Sequence, residues 1–137
     1  MTNRTGHEAR AAASTVAAAM RRTRSIAVRD HTAAVFTLDV DSNRFSIPRG
    51  AEREREERKL PADLRFGLFT ARSELESDSR GSIRFFPDGS STGGRVTIEA
   101  EPVHYYVDVD WFSGQVRLES GRPEQETSQQ RGRIALQ

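Results

Sequence analysis

The chain has 137 residues, with 21 lysine plus arginine against 20 aspartate plus glutamate, a formal net charge of +1, and no cysteine. That length suits one folded domain over residues 1–137, and the near-balance of charge argues against a nucleic-acid module. Without cysteine there is no disulfide, thiolate nucleophile or Cys-ligated metal site, and no run approaches the ~20 apolar residues that cross a bilayer.

Residues 5–30 read as a helix. Thr5 and Glu8 have the spacing of a capping box, and the alanine-rich stretch behind them has high helix propensity. Ala9, Ala12, Val16, Met20, Thr23 and Ala27 recur every three or four residues and define one face that has to be covered. Arg21, Arg22, Arg24 and Arg29 gather towards the far end, where the helix dipole favours positive charge, and read as a solvated terminus.

Residues 33–119 read as an antiparallel β region. Phe36, Leu38 and Val40 alternate with polar residues, and Phe45 and Ile47 resume the alternation after a polar turn. The segment 49–59 is almost wholly charged and is expected to be an exposed loop or a frayed turn. Leu64, Phe66 and Leu68 mark a further strand, followed by Ile83 with Phe85 and by Val96 with Ile98 on either side of a Gly-rich stretch. Tyr105, Val107, Val109 and Trp111 share one face, expected to be the core side, and Ser113-Gly114 turns the chain into Val116 and Leu118. Residues 120–137 have little to bury before Ile134 and Leu136 and are expected to form a flexible tail. One long helix followed by strands gives an α+β layout, the helix stripe lying on antiparallel sheet.

Motifs that mimic chemical sites have plainer explanations. The stretch from Asp88 to Gly94 (DGSSTGG) lacks the lysine and helix start of a phosphate loop, and reads as an inter-strand turn using glycine at positive φ. Asp39, Asp41 and Asn43 alternate as in a calcium loop, yet Arg44 and Gly50 stand where a glycine and a bidentate glutamate belong. Asp108 and Asp110 read as a solvated strand face, and His7, His31 and His104 are scattered. No residue is assigned a catalytic, cofactor-binding or metal-binding role, no cofactor is expected, and the chain does not read as an enzyme.

The segment Gly81 to Ile98, GSIRFFPDGSSTGGRVTI, resembles the most characteristic stretch of the H-type minor pseudopilins of type II secretion systems and of FimT-like fimbrial proteins. YVDVDWFSGQVRL, from Tyr106 to Leu118, is similar to that family's closing hairpin, and the passage from Glu8 to Phe45 to its helix and first hairpin. The resemblance implies a pilin-like fold and a structural role near the tip of a short pseudopilus. It places the domain in the periplasm of a Gram-negative bacterium, beside the other minor pseudopilins, the major pseudopilin and the inner-membrane secretion platform. Members of the family begin with a methylated apolar helix that has no counterpart here. The chain is therefore expected to be the soluble portion of a membrane-anchored protein, and a monomer in isolation. The rival within the same fold is a type IV pilus minor pilin that binds DNA during uptake through arginines such as Arg131 and Arg133; the acidic Glu124 and Glu126 argue against it. A carbohydrate-binding β-sandwich using Trp111, Tyr105 and Tyr106 is the rival of another class.

Overall fold

A computed structural model describes residues 4–50, 54–122 and 134–136. The first element, α1 (Arg4–Asp30), is a 27-residue helix, and the expected stripe of Ala9, Ala12, Val16, Met20, Thr23 and Ala27 is buried along its whole length. The Thr23 hydroxyl donates to the Ala19 carbonyl at 2.8 Å, which satisfies a polar group that would otherwise be costly inside. At the C-terminus His31 takes φ 54° and the Thr32 amide donates to the Ala27 carbonyl, a left-handed ending that closes the last turn. The expected capping box does not form. Arg4 and Thr5 are already helical, so Thr5 cannot cap, and Glu8 Oε1 is buried without a hydrogen-bond partner.

Among the described residues nine strands follow: β1 (Ala34–Asp39), β2 (Arg44–Pro48), β3 (Arg55–Lys59), β4 (Arg65–Thr70), β5 (Arg80–Phe85), β6 (Gly94–Glu99), β7 (His104–Val109), β8 (Val116–Gly121) and β9 (Ile134–Leu136). They form two sheets, ordered β3-β2-β1-β5 and β8-β7-β6-β4-β9. The helix packs on β1, β2 and β5 of the first and on β6, β7 and β8 of the second, so one apolar stripe seals both. The alanines on that stripe bring the backbones close together, and the bulk of the core comes from the strands. Phe36, Phe45, Phe66 and Phe85 are fully buried, each contributing about 1.5–3 kcal/mol, and Phe36 stacks on Phe45 with ring centroids 5.4 Å apart. Register follows the alternation read from the sequence, with Phe36 opposite Ile83, Leu38 opposite Phe45, and Val96 opposite both Leu68 and Val107.

Two segments depart from expectation. Arg55–Lys59, expected to be loop, is the edge strand β3, paired antiparallel with β2 from Arg44↔Lys59 to Pro48↔Arg55. An edge strand needs only one side of its backbone paired and leaves its side chains in water, so charge does not forbid it and guards it against pairing with a second chain. Arg55 also reaches over β2, its Nη2 donating to the carbonyls of Ser46 at 2.9 Å and Val35 at 3.0 Å. The region expected to be a flexible tail is tied at both ends. Ser120 and Gly121 belong to β8, and Ile134–Leu136 lies parallel to β4, the one departure from antiparallel pairing among the described strands. Arg131, Arg133, Glu124 and Glu126 fall outside the described residues.

Candidate functional site

The residues that imitate chemical sites are occupied with local structure. Asp39 Oδ1 accepts the Asp41 and Ser42 amides at 3.0 and 3.1 Å, Asn43 sits at φ 54°, and its Nδ2 donates to the Pro61 and Leu64 carbonyls at 2.8 Å. The calcium-like spacing is thus a hairpin turn that also clamps the approach to β4. Asp108 is paired with Arg95, Nε to Oδ1 at 2.6 Å and Nη2 to Oδ2 at 3.1 Å, and this bond holds the Arg95 pKa above its ordinary value. The same guanidinium lies 4.6 Å above the Tyr106 ring and covers it, so Tyr106 is buried although it lies outside the hydrophobic core cluster. His104 is buried beside Tyr106, ring centroids 6.2 Å apart, while His7 and His31 are exposed. Among the described residues no group of three or more His, Asp or Glu is arranged to hold a metal ion.

The Gly-rich stretch is a turn between β5 and β6, built as its composition implies. Gly89 and Gly93 take φ 90° and 75°. Side-chain oxygens of the turn meet backbone amides: Ser91 Oγ accepts from Gly93, Thr92 Oγ1 accepts from Arg84 of β5, and the Asp88 carboxylate Oδ1 accepts the Ser90 amide at 2.9 Å. The bonds from the Ser90 side chain and backbone hold the Asp88 carboxyl below the usual range.

This turn meets the β7–β8 turn at the end of the domain where α1 finishes, and the arginine cluster joins them. The expected solvated terminus is wrong for Arg24, which is half-buried, while Arg21 stays exposed but is tied to the fold by one bond. Arg24 Nε donates to the carbonyls of Gly89 at 3.0 Å and Ser113 at 3.2 Å, and its Nη2 to Ser113 at 3.0 Å; Arg21 Nη2 donates to the Val116 carbonyl at 2.9 Å. Periodicity shows which side of a helix a residue occupies, and gives no sign of a carbonyl from a distant turn within reach of it. Arg22 and Arg29 stay at the surface, facing Glu56 at 3.6 Å and Asp30 at 2.8 Å.

The β7–β8 turn is fixed from several directions. Asp110 Oδ2 accepts the Ser113 amide at 2.7 Å and hydroxyl at 2.9 Å, bonds that lower its pKa. The Ser91 amide donates to the Trp111 carbonyl, its hydroxyl to the Asp110 carbonyl, and the Gly114 amide to that of Asp110. Gly114, at φ 73°, has no room for a side chain, since a Cβ there would collide with the Gly89 carbonyl oxygen. On this frame stand Trp111 and Phe112, 65% and 75% exposed, their rings edge-to-face with centroids 5.6 Å apart. The expectation that Trp111 faces the core is therefore wrong. β7 ends at Val109, so the alternation stops before Trp111, and the turn directs the next two side chains outward.

A long helix laid along one side of two β-sheets, with its far end clamped to strand-connecting turns, is the fold of a pilin-like subunit. It is similar to the minor pseudopilin EpsH of the Vibrio cholerae type II secretion system, with TM-score 0.63 and 15% identity over 82% of this chain and 97% of that one. It is also similar to the Pseudomonas aeruginosa type IV minor pilin FimU, with TM-score 0.61 and 18% identity over 90% of this chain and 95% of that one. At such identities the likeness defines the fold alone. Sequence narrows it further: residues 12–114 match the family described as type II transport protein GspH, and the chain belongs to that family. A curated relative, type II secretion system protein H of Xanthomonas campestris pv. campestris, is 35% identical over 112 residues, 82% of this chain. The chain spans 63% of that relative's length.

Proposed function

We propose that this chain is the globular domain of a minor pseudopilin that assembles with other pseudopilins near the tip of a type II secretion pseudopilus and helps drive folded exoproteins through the outer membrane. The observation that carries this reading is the match to the GspH family over residues 12–114, on a fold whose helix is sealed against both sheets. In this reading the domain is periplasmic and structural, with no reaction of its own. Its anchor is an apolar helix half running on from the N-terminal end of α1 into the inner membrane, or into the filament core after assembly. Among the described residues no helix is long and apolar enough to cross a membrane.

The supporting test is association in solution. The 15.3 kDa chain, which we expect to be a monomer by light scattering, is mixed with the soluble domains of the other minor pseudopilins of its own bacterium. Co-elution as a complex of defined mass supports the reading. Elution of every component alone, or a stable dimer of this chain, contradicts it. The DNA-uptake alternative predicts steeply salt-dependent binding to duplex DNA, because phosphate contacts release counterions; the pseudopilin reading predicts none.

A further inference from the structure

We propose that Trp111 and Phe112 form the anchor by which this subunit docks into an apolar pocket on a different pseudopilin subunit seated beyond the C-terminal end of α1. The inference rests on the pseudopilin reading and names the surface that reading leaves open. Its starting point is a contrast within one turn. The backbone from Asp110 to Gly114 is held by the helix through Arg24, by the β5–β6 turn through Ser91, and by its own Asp110 carboxylate, yet the two largest side chains it carries touch little except each other. Exposed apolar rings are unfavourable in water, while fixing them beforehand removes much of the ordering cost that binding would otherwise incur. Trp is also the residue type most enriched among the few side chains that dominate interface energies.

Size and shape select the occupant. At 65% and 75% exposure, the two rings offer roughly 300 Å² of apolar surface. A stable pair buries about 800 Å² on each partner, so the rings alone would not hold two free copies tip to tip, whereas against a neighbour already held in the filament they need supply only part of the contact. The edge-to-face rings project as a knob, where a sugar would need a flat stacking face. A knob requires a pocket, and this chain has a mixed one, where Ile26, Ala34, Val35 and Pro48 meet Asp30, Glu54, Arg55 and Arg84. That cleft is a surface different from the knob, so docking there by identical copies would be head-to-tail and would string them into an open chain. A minor subunit holding one place in the assembly does not do this, which leaves a non-identical subunit.

Position fixes the direction. Arg24 lies 20 residues after Arg4 in the helix, about 30 Å along its axis at ~1.5 Å per residue, and it is Arg24 that holds the tip. The knob therefore sits at the opposite end of α1 from the one that leads to the anchor, and meets the neighbour ahead of the subunit in the assembly.

The test is titration calorimetry of the chain and of its W111A/F112A variant against the soluble domain of each other minor pseudopilin. Melting curves should coincide for the two proteins, since the substituted side chains are exposed. The proposal predicts that the variant binds one of those domains at least about 30-fold more weakly, and that full-length protein carrying both substitutions fails to restore export in a deletion strain. Unchanged affinity in the variant overturns the docking proposal while leaving the pseudopilin reading intact. Failure of the unsubstituted chain to bind any of the domains overturns both. Concentration-dependent self-association abolished by W111A/F112A, or binding to glycans abolished by it, also overturns the proposal by giving the knob a different occupant.

Discussion

Replacing Gly114 by alanine probes the junction of helix and turns at its tightest point. At φ 73° an L-residue is strained by about 1–2 kcal/mol. The added methyl would also run into the Gly89 carbonyl oxygen, which is backbone and cannot rotate away, so the β5–β6 and β7–β8 turns must separate. Separation strains the bonds from Arg24 to Gly89 and Ser113, now 3.0 to 3.2 Å, and losing one such charged hydrogen bond costs about 1.5–3 kcal/mol. The sum, about 2.5–5 kcal/mol, is a large share of the roughly 5–15 kcal/mol that holds a domain folded, and corresponds to a fall of about 10–20 °C in Tm. Calorimetric melts of the wild type, G114A, R24A and the double variant provide the assay. Because both substitutions act on one set of bonds, the double variant should lose less than the sum of the singles. A G114A melt within about 2 °C of the wild type, or strict additivity with R24A, would refute the reasoning.

Further predictions follow from burial and charge. Ala13 is fully buried on the helix face, so Ala13→Leu should destabilise by about 1–3 kcal/mol in urea denaturation through overpacking, whereas leucine at the exposed Ala18 should be nearly neutral. Asp88 and Asp110 have folded pKa values below the ordinary carboxylate range. Their contribution to stability is therefore complete above about pH 4 and lost as pH falls through the lowered folded values, so D110N should flatten the acid side of a Tm-against-pH curve and leave an unaltered slope if the reasoning fails. Glu56→Val with Arg58→Val strips charge from the edge strand β3 and should promote aggregation, visible as rising light scattering over hours, without lowering the melting temperature by more than a few degrees.

What could be read from the sequence was whatever repeats with a period. The helix stripe from Ala9 to Ala27 and the alternation in β1, β2, β5, β6 and β7 each express one face turned to a common core, and burial makes that face apolar. Features that rest on neighbours distant in the chain were not legible. β3 is charged at nearly every position, and its existence depends on the open edge of β2. Arg24 looks like any arginine near a helix end until two turns, 65 and 89 residues later, bring carbonyls to it. Trp111 follows an alternating strand, and the alternation places it on the inward face, but the turn that begins at Asp110 ends the period. A signal for that turn was present in Ser113-Gly114 and in Asp110 three residues before a serine, the spacing in which a carboxylate accepts a serine amide and hydroxyl.

The proposed role of the chain in secretion is tested most directly by deleting its gene in the parent bacterium and measuring where an exported enzyme accumulates. The account predicts that folded exoprotein is trapped in the periplasm and reappears in the medium when the full-length gene is restored. Undiminished export in the deletion strain, with uptake of external DNA lost instead, would contradict it.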